Sequence, residues 1–358
     1  MKAIVVKPGS KGVEVRDVNE KEVQNFGRVK VRIIENGICG TDREIVQGKM
    51  TSARAPQGRD WLVLGHEALG VVEEPFGEFK VNDVVMPVNR RGCGKCNNCL
   101  MGRADHCETG EFVEAGISDM DGFMREYYYD DPKYLVKVPK GIEDIAILAQ
   151  PLSDLEKSVN EIIKVQERVY WTCNDGTFSC RRALVIGSGP IGILVSMLLR
   201  SHSFQVIVAN RREPTEIEDQ IFQEIGVEYF NSAKGYTELK GRFDVIFNAS
   251  TAPPTVIEDI IPFLNYNGVL GLFGFPPSGE MKLSFQEIQR LSLKGVAILG
   301  LANGQKPHFE EAMRHLSQWK ITWPKTTNKL ITRTVHVDEA PKVLSFKEEN
   351  EIKVKIRW

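Results

Sequence analysis

Residues 183–192 read ALVIGSGPIG, an apolar run that passes directly into glycines spaced as G-x-G-x-x-G. The run 183–186 predicts a buried strand, and the apolar residues of 193–200 predict a helix. In that context Gly187 permits a tight turn, Gly189 lets the backbone approach a pyrophosphate, and Gly192 permits close packing of helix on strand. Because the helix N-terminus would face the phosphates, the stretch predicts a dinucleotide-binding unit.

Further strand-like runs continue this unit towards the C-terminus. They lie at 205–209, 227–230, 243–248, 269–273 and 296–301, several of them separated by helical segments. Six strands in this arrangement are typical of a doubly wound α/β sheet, or Rossmann fold. The alternative is an α/β domain that binds no nucleotide.

The end of the second of these strands indicates which coenzyme is bound. An NAD-selective site usually places an acid there, but this chain has Asn210, Arg211 and Arg212. Asn210 does not repel a 2′-phosphate, and a guanidinium suits a phosphate through its planar fork. The sequence therefore predicts NADP, with NAD as the second possibility. The alternative is that the two arginines form only a solvated basic turn.

The first 150 residues differ from this pattern. Short strand-like runs at 2–6, 13–18, 29–34, 69–73, 83–87 and 134–138 are cut by Gly, Pro and Asp, which predicts a compact, barrel-like β region. A helical stripe over 154–169 is expected to cover one side of it. After residue 303, a helix near 309–319 and strands near 330–337 and 352–356 are expected to return to this region. The predicted divisions are 1–182, 183–303 and 304–358.

A candidate catalytic metal site lies within the β region. Cys39 follows one strand-like run, and His66 and Glu67 follow another. A thiolate, an imidazole and a carboxylate are three ligands for one zinc ion with a position left open, as in catalytic zinc sites. An alcohol oxygen in the open position would lose its proton easily.

Four further cysteines are packed into fifteen residues, with the spacing C-x2-C-x2-C-x7-C. They are Cys93, Cys96, Cys99 and Cys107. Four thiolates this close can form a closed, structural zinc site. Unrelated thiols, a redox cluster or a nucleic-acid module are the alternatives, and the last lacks a basic or aromatic surface. Cys173 and Cys180 are expected to stay unpaired in a reducing compartment.

The composition excludes several classes of protein. The 358 residues carry a formal net charge of −2, which gives no signature for binding nucleic acid. No apolar run approaches the ~20 residues of a membrane span. The first residues predict a strand and not a signal peptide, so the expected location is the cytoplasm.

Taken together, the motifs resemble those of the zinc-dependent medium-chain dehydrogenases, in the same order. More narrowly, the chain is similar to the archaeal glucose 1-dehydrogenases, in segments 38–44, 86–93, 108–112, 130–135, 210–215 and 303–309. The resemblance implies a GroES-like catalytic domain and a Rossmann coenzyme domain. It also implies oxidation of D-glucose, and of galactose or other aldoses, at C1 to the lactone with NADP or NAD. A homotetramer with two zinc ions per chain is implied as well.

The resemblance also assigns residues to roles. Zinc ligands are Cys39, His66 and Glu67, with Gln150 at the position of a further ligand; Thr41, Glu67 and Gln150 are catalytic. Sugar contacts are assigned to Thr41, Glu114, Gln150, Asp154 and Asn303. Coenzyme contacts are assigned to Gly187, Ser188, Gly189, Pro190, Ile191, Gly192, Asn210, Arg211, Arg212, Phe273, Gly274, Phe275, Leu301, Ala302, Asn303 and Lys347.

Two departures from the family leave the chemistry open. Gln150 stands where the polyol branch has a glutamate, so it can bind zinc directly, bind it through water, or bind the sugar. Glu44 stands where many relatives have a relay histidine, so Thr41, Glu67 or Glu44 can take the proton. Two other functions remain: a dehydrogenase of another polyol or amino alcohol, and a non-catalytic NADPH-binding protein.

Overall fold

The structure, a computed structural model, describes residues 1–274 and 278–358. The strands are β1 (Lys2–Val6), β2 (Glu14–Asp17), β3 (Val29–Gly37), β4 (Leu62–Val63), β5 (Ala68–Glu74), β6 (Val84–Pro87), β7 (Arg90–Arg91), β8 (Val113–Ala115), β9 (Asp119–Met120), β10 (Tyr127–Asp130), β11 (Leu135–Lys137), β12 (Arg182–Ile186), β13 (Gln205–Asn210), β14 (Glu228–Asn231), β15 (Phe243–Asn248), β16 (Leu264–Leu272), β17 (Ala297–Gly300), β18 (Ile331–His336) and β19 (Lys353–Arg357). The α-helices are α1 (Gly40–Val46), α2 (Asn97–Leu100), α3 (Ala149–Val165), α4 (Pro190–Ser201), α5 (Glu216–Ile225), α6 (Thr255–Ile260), α7 (Phe285–Lys294), α8 (Lys306–Thr322), α9 (Pro324–Leu330) and α10 (Ala340–Ser345).

The chain forms two compact units. The first comprises Met1–Ser153, Asn303–Thr322 and Leu330–Trp358, and the second comprises Asp154–Ala302 and Trp323–Lys329. These limits place residues 154–182 and 323–329 in the second unit. The predicted divisions put 154–182 in the first (1–182) and 323–329 in the third (304–358). The physical reason lies in α3, whose apolar stripe was expected to cover the β region. Its continuation packs on the parallel sheet instead, where the Gln166 amide donates to the carbonyl of Asn267 at 2.6 Å.

The core of the first unit is a β-sheet with the order β11-β6-β5-β3-β19-β18, and β10 also pairs with β3. Along β3, the side chains of Val29, Val31 and Ile33 are buried, and residues between them are more exposed, as the period of a strand requires. The last strand, β19, pairs antiparallel with β3. The C-terminal segment therefore rejoins the sheet formed by the first part of the chain, as expected.

The second unit is built on a parallel sheet with the order β14-β13-β12-β15-β16-β17. Counted from β12, this order is 3-2-1-4-5-6, the arrangement of a doubly wound dinucleotide-binding fold. Strands β13 and β14 are added on one side of β12, and β15 to β17 are added on its other side. This switch in strand order opens a crevice at the carboxyl ends of β12 and β15. The predicted fold class is therefore confirmed.

Cys173 and Cys180 form a disulfide, so the expectation of two unpaired thiols is wrong. Their Cα atoms lie 5.9 Å apart, which suits a bridge. The turn between them is held by a hydrogen bond from Cys173 N to the carbonyl of Thr177. The rings of Trp171 and Phe178 pack against each other at the two ends of the turn. The turn geometry brings the two sulfurs within bonding distance.

Among the helices of the described residues, none combines the length and apolar character needed to cross a membrane.

Candidate active site and coenzyme site

The three candidate ligands of the catalytic zinc come together. Cys39 follows β3 and caps α1, and His66 and Glu67 lie between β4 and β5. One ligand atom from each lies within 4.8 Å of the others. A cluster of sulfur, nitrogen and oxygen donors at this spacing, with His66 and Glu67 buried, fits a zinc ion held by three protein ligands.

Asp42 supports two of these ligands, and the sequence did not single it out. Its Oδ2 accepts the backbone N–H of Cys39 at 2.8 Å, and its Oδ1 lies 3.4 Å from His66 Nδ1. Burial of His66 disfavours its charged form, but Asp42 and Cys39 outweigh that effect and hold the pKa of His66 well above its usual range. Because a ligand histidine must be neutral, zinc binding has to release this proton.

Glu67 has a buried counter-charge that sequence reasoning also missed. The ammonium of Lys353, in β19, lies 2.7 Å from both carboxylate oxygens of Glu67 and also donates to the carbonyl of Ile38. A Cβ atom on Gly37 would lie 1.9 Å from Glu67 Oε2, so only glycine leaves room for the carboxylate. In the sequence Lys353 alternates with apolar residues as the polar face of a strand would, so no local signal marked it as buried.

The remaining residues assigned to catalysis occupy different environments. The Thr41 hydroxyl lies 3.7 Å from Cys39 Sγ, in the first turn of α1. Gln150 is buried at the start of α3. Glu44 lies one turn after Thr41 in α1 and is exposed, and this exposure does not favour it as the base.

Glu114 is held by two neighbours that the sequence did not single out. Its carboxylate accepts from Asn89 Nδ2 at 3.3 Å and from Arg90 Nη1 at 3.1 Å. The Arg90 guanidinium also lies over the ring of Phe112, 3.7 Å from its centroid. These contacts fix the orientation of Glu114 and leave room for further donors, since a carboxylate accepts about four hydrogen bonds.

Asn303 is the first residue of Asn303–Thr322, the second stretch of chain in the first unit. It adopts a left-handed conformation with φ of 57°, a strained state that asparagine tolerates better than most residues. A Cβ on the next residue, Gly304, would lie 2.6 Å from the Ser153 hydroxyl, so this segment packs against the start of α3. Asp154 lies in α3, and Lys347 is exposed after α10.

The second cysteine cluster is also assembled. One sulfur from each of Cys93, Cys96, Cys99 and Cys107 lies within 4.8 Å of the others. The backbone N–H groups of Cys93, Cys96 and Cys99 donate to Cys107, Cys93 and Cys96 sulfurs respectively. The Thr109 hydroxyl, helped by backbone N–H groups, lowers the pKa of Cys93 to about 6, whereas burial raises the pKa of Cys99 to about 12. This cluster fits a closed tetrahedral zinc site.

The glycines of the coenzyme loop have the roles that their spacing predicts. Gly187 has φ of 105°, which favours glycine. A Cβ on Gly192 would lie 1.9 Å from the carbonyl oxygen of Gly187, whereas a Cβ on Gly189 would meet nothing within 4 Å. The space beside Gly189 is the approach that a pyrophosphate needs. Ser188, Pro190 and Ile191 complete this loop and the first turn of α4.

The two arginines after β13 differ in their surroundings. Arg212 is engaged with Glu218 through both ends of its fork, at 2.6 and 2.7 Å. Glu218 also accepts from Ser188, which in turn accepts from Asn210 at 2.7 Å. Arg211 instead lines a cavity of about 210 Å³ at the carboxyl ends of the strands.

Polar residues that the sequence did not single out also line this cavity. They are Ser232, Tyr236, Ser250 and Thr251, and they follow strands β14 and β15 or lie near them. The signal that could have found them was their position, since the carboxyl ends of parallel strands meet at one edge of the sheet.

The other predicted coenzyme residues follow β16 and β17. Gly274 N donates to the Asn248 carbonyl at 2.7 Å, and Leu301 N donates to the Leu272 carbonyl at 2.9 Å. Ala302 accepts from the Lys157 ammonium at 2.5 Å, and the ring of Phe273 packs on Phe247. Phe275 lies outside the described residues.

The chain is similar to known proteins along its whole length. A sequence model of the alcohol dehydrogenase GroES-like domain matches residues 25–140, and one of the glucose dehydrogenase C-terminus matches residues 143–357. The chain is 58% identical to glucose 1-dehydrogenase 2 of Caldivirga maquilingensis and 54% identical to that of Saccharolobus solfataricus, over the full length of each. The structure resembles Haloferax mediterranei glucose dehydrogenase in complex with NADP, Zn and gluconolactone, with a TM-score of 0.89 and 26% identity, covering 100% of this chain and 99% of the other.

Proposed function

Since this chain belongs to the glucose dehydrogenase family of zinc-dependent medium-chain dehydrogenases, we propose that it oxidises D-glucose at C1 to the lactone with NADP or NAD as hydride acceptor. Galactose and other aldoses are expected as further substrates. The observation that carries this proposal is the cluster of Cys39, His66 and Glu67, of which His66 and Glu67 are buried, in a chain that also has an intact coenzyme loop.

The catalytic roles follow from the donors that are present. Cys39, His66 and Glu67 would hold a zinc ion, with Gln150 as a further direct or water-mediated ligand; the ion would supply a Lewis acid for the C1 hydroxyl oxygen. The Thr41 hydroxyl is proposed to pass the sugar proton outward, and its position 3.7 Å from Cys39 Sγ supports this role. Glu67 is the alternative proton acceptor, but the Lys353 ammonium already donates to both of its oxygens.

The sugar site is proposed to use Thr41, Glu114, Gln150, Asp154 and Asn303. Hydroxyl-rich substrates need carboxylates that accept hydrogen bonds and amides that both accept and donate them, and such sites reject analogues that lack a hydroxyl. The fixed orientation of Glu114 by Asn89 and Arg90 supports this role. A site for simple alcohols would instead be lined with apolar side chains.

The coenzyme is proposed to be NADP, with NAD accepted less well. Arg211 lines the cavity beyond Gly187, where a ribose 2′-phosphate would carry its charge. Asn210 contributes no charge that would repel it. Arg212 is tied to Glu218, so we assign it chiefly to holding the loop.

We further propose two zinc ions per chain, the second in the four-cysteine site, and a homotetramer in the cytoplasm. The outer edge of the parallel sheet supports association. There β17 has no partner strand on its outer side among the described residues, Ile298 is exposed, and α7 presents Phe285 and Leu293 to solvent. Such edges and apolar patches are usually covered by a partner.

The test is a matrix of initial rates of coenzyme reduction with zinc-replete protein. Glucose, galactose, xylose, sorbitol, ethanol and threonine are each tried with NADP and with NAD, beside metal analysis. Aldose oxidation with NADP supports the proposal. Activity confined to sorbitol, ethanol or threonine would favour a dehydrogenase of another polyol or amino alcohol, and one zinc per chain with no activity would favour a non-catalytic NADPH-binding protein.

A further inference from the structure

A second cavity of the coenzyme-binding unit lies between α7 and the residues that directly follow α6. Its volume is about 250 Å³, below the ~300–1,000 Å³ of pockets for drug-sized ligands. The cavity is lined by Arg242, Ile261, Pro262, Glu287, Arg290, Leu291 and Lys294. Three cationic side chains and one carboxylate leave it with a surplus of two positive charges.

Two of the cations are held close together, and within the described residues neither forms an ion pair with an acid. Arg242 Nη1 and Lys294 Nζ both approach the carbonyl oxygen of Pro262, at 2.6 and 3.5 Å, so the two nitrogens lie within about 6.1 Å of each other. Lys294 also donates to the Leu264 carbonyl at 2.7 Å. Backbone carbonyls orient these groups but do not neutralise their charges.

The one carboxylate of the cavity belongs to Glu287, whose pKa is lowered by hydrogen bonds from Ser284 and by the charge of Arg290. Glu287 Oε2 accepts from the backbone N–H and the hydroxyl of Ser284, both at 2.7 Å, as part of the cap of α7. Burial, followed by the nearby guanidiniums of Arg242 and Arg290, lowers the pKa of Lys294. The positive charges therefore act on one another, and an anion would relieve their repulsion.

The cavity is separate from the coenzyme site. Arg242 directly precedes β15, Leu264 begins β16, and Lys294 precedes β17, so the cavity lies at the amino ends of these strands. The coenzyme cavity lies at the carboxyl ends. A six-residue strand such as β15 spans about 17 Å between its ends, so one small anion cannot occupy both.

We propose that Arg242, Arg290 and Lys294 form a binding site for the phosphate group of a small phosphate ester or of free phosphate. Guanidinium and ammonium groups are the side chains that bind phosphate most strongly, through charge-assisted hydrogen bonds. Ile261 and Leu291 in the wall give an apolar surface for a short organic group. This site does not depend on the proposed reaction.

The test is calorimetric titration of the zinc-loaded, NADP-saturated protein with inorganic phosphate and, separately, with glycerol 2-phosphate. Chloride keeps the ionic strength constant, and NADP keeps the coenzyme site filled. We expect one saturable site per chain. Tighter binding of glycerol 2-phosphate would identify an ester as the ligand, and equal binding would identify the phosphate group alone.

Arg290→Gln should weaken this binding about tenfold, because it removes one of three charges. Arg290 is exposed and its side chain makes no hydrogen bond to any described residue, so the variant should fold. Lys282→Gln is the matched control, since it removes an exposed charge outside the cavity wall and should change the affinity less than twofold. The site is refuted by absence of saturable binding to the wild type, or by equal weakening in both variants.

Discussion

The Lys353 ammonium lies 2.7 Å from both carboxylate oxygens of Glu67, and both side chains are almost fully buried. The two residues are 286 positions apart in the chain. Glu67 is thus neutralised by the protein itself, beside a site that fits a doubly charged ion. We therefore expect Lys353 and a bound metal ion both to stabilise the negative charge of the Glu67 carboxylate.

Lys353→Met should destabilise the zinc-free protein by ~3–5 kcal/mol, because it leaves a buried carboxylate without its partner. The loss should be smaller in the zinc-loaded protein, where the ion supplies positive charge near Glu67. Denaturant unfolding of both forms measures the difference. Lys355→Met is the matched control, since Lys355 lies in the same strand as Lys353 and forms a similar buried pair with Glu35 of β3. An equal loss with and without zinc for Lys353→Met would contradict the idea.

Gly37→Ala should displace the Glu67 carboxylate, because the new Cβ would lie 1.9 Å from Oε2 and 3.0 Å from an Ile147 carbon. We expect the zinc content to fall by one ion per chain and activity to fall at least a hundredfold. Metal analysis after dialysis provides the measurement. Gly40→Ala meets nothing within 4 Å and should retain the full metal content. Full zinc in Gly37→Ala would remove Glu67 from the ligand set.

Gly189→Ala and Gly192→Ala should separate coenzyme binding from folding. The Cβ of the first enters open space, so stability should change by less than ~1 kcal/mol, while KM for NADP rises at least tenfold because the pyrophosphate loses its approach. The second places a Cβ 1.9 Å from the Gly187 carbonyl oxygen and should destabilise the protein by several kcal/mol. Thermal unfolding and NADP titration together measure both effects. Unchanged NADP affinity in Gly189→Ala would count against this position of the pyrophosphate.

Arg211→Gln and Arg212→Gln should have different consequences, although the residues are neighbours. Loss of Arg211 should raise KM for NADP about tenfold relative to KM for NAD, since it faces the coenzyme cavity. Loss of Arg212 should lower stability by ~1–3 kcal/mol, because Glu218 loses a partner that bonds both its oxygens. Steady-state kinetics with both coenzymes and unfolding curves test the pair. A selective rise in KM for NADP only in Arg212→Gln would reverse the assignment.

The Cys173–Cys180 disulfide should contribute about 2–3 kcal/mol, the loop-closure value for a bridge of this length. Unfolding curves with and without dithiothreitol should differ by this amount in the wild type. The Cys173→Ser, Cys180→Ser double variant should match the reduced wild type and no longer respond to reductant. A response in the double variant would point to another cysteine.

The sequence by itself determined the fold class and the chemical types at the sites. The strand-glycine-helix pattern at 183–200 and the repeated buried runs after it are local signals, because strand period and turn chemistry are written in neighbouring residues. The spacing of Cys93, Cys96, Cys99 and Cys107 is equally local, and the cluster they form agrees with it.

Only the tertiary structure decided which distant residues became partners. The pairing of Lys353 with Glu67 arises because β19 joins the sheet beside β3. Local periodicity gave α3 an apolar stripe but could not say which sheet would cover it, and two adjacent arginines look alike until Glu218 engages one of them. The physical reason is that hydrophobic burial is non-directional, so its partner is chosen by the packing of the whole chain.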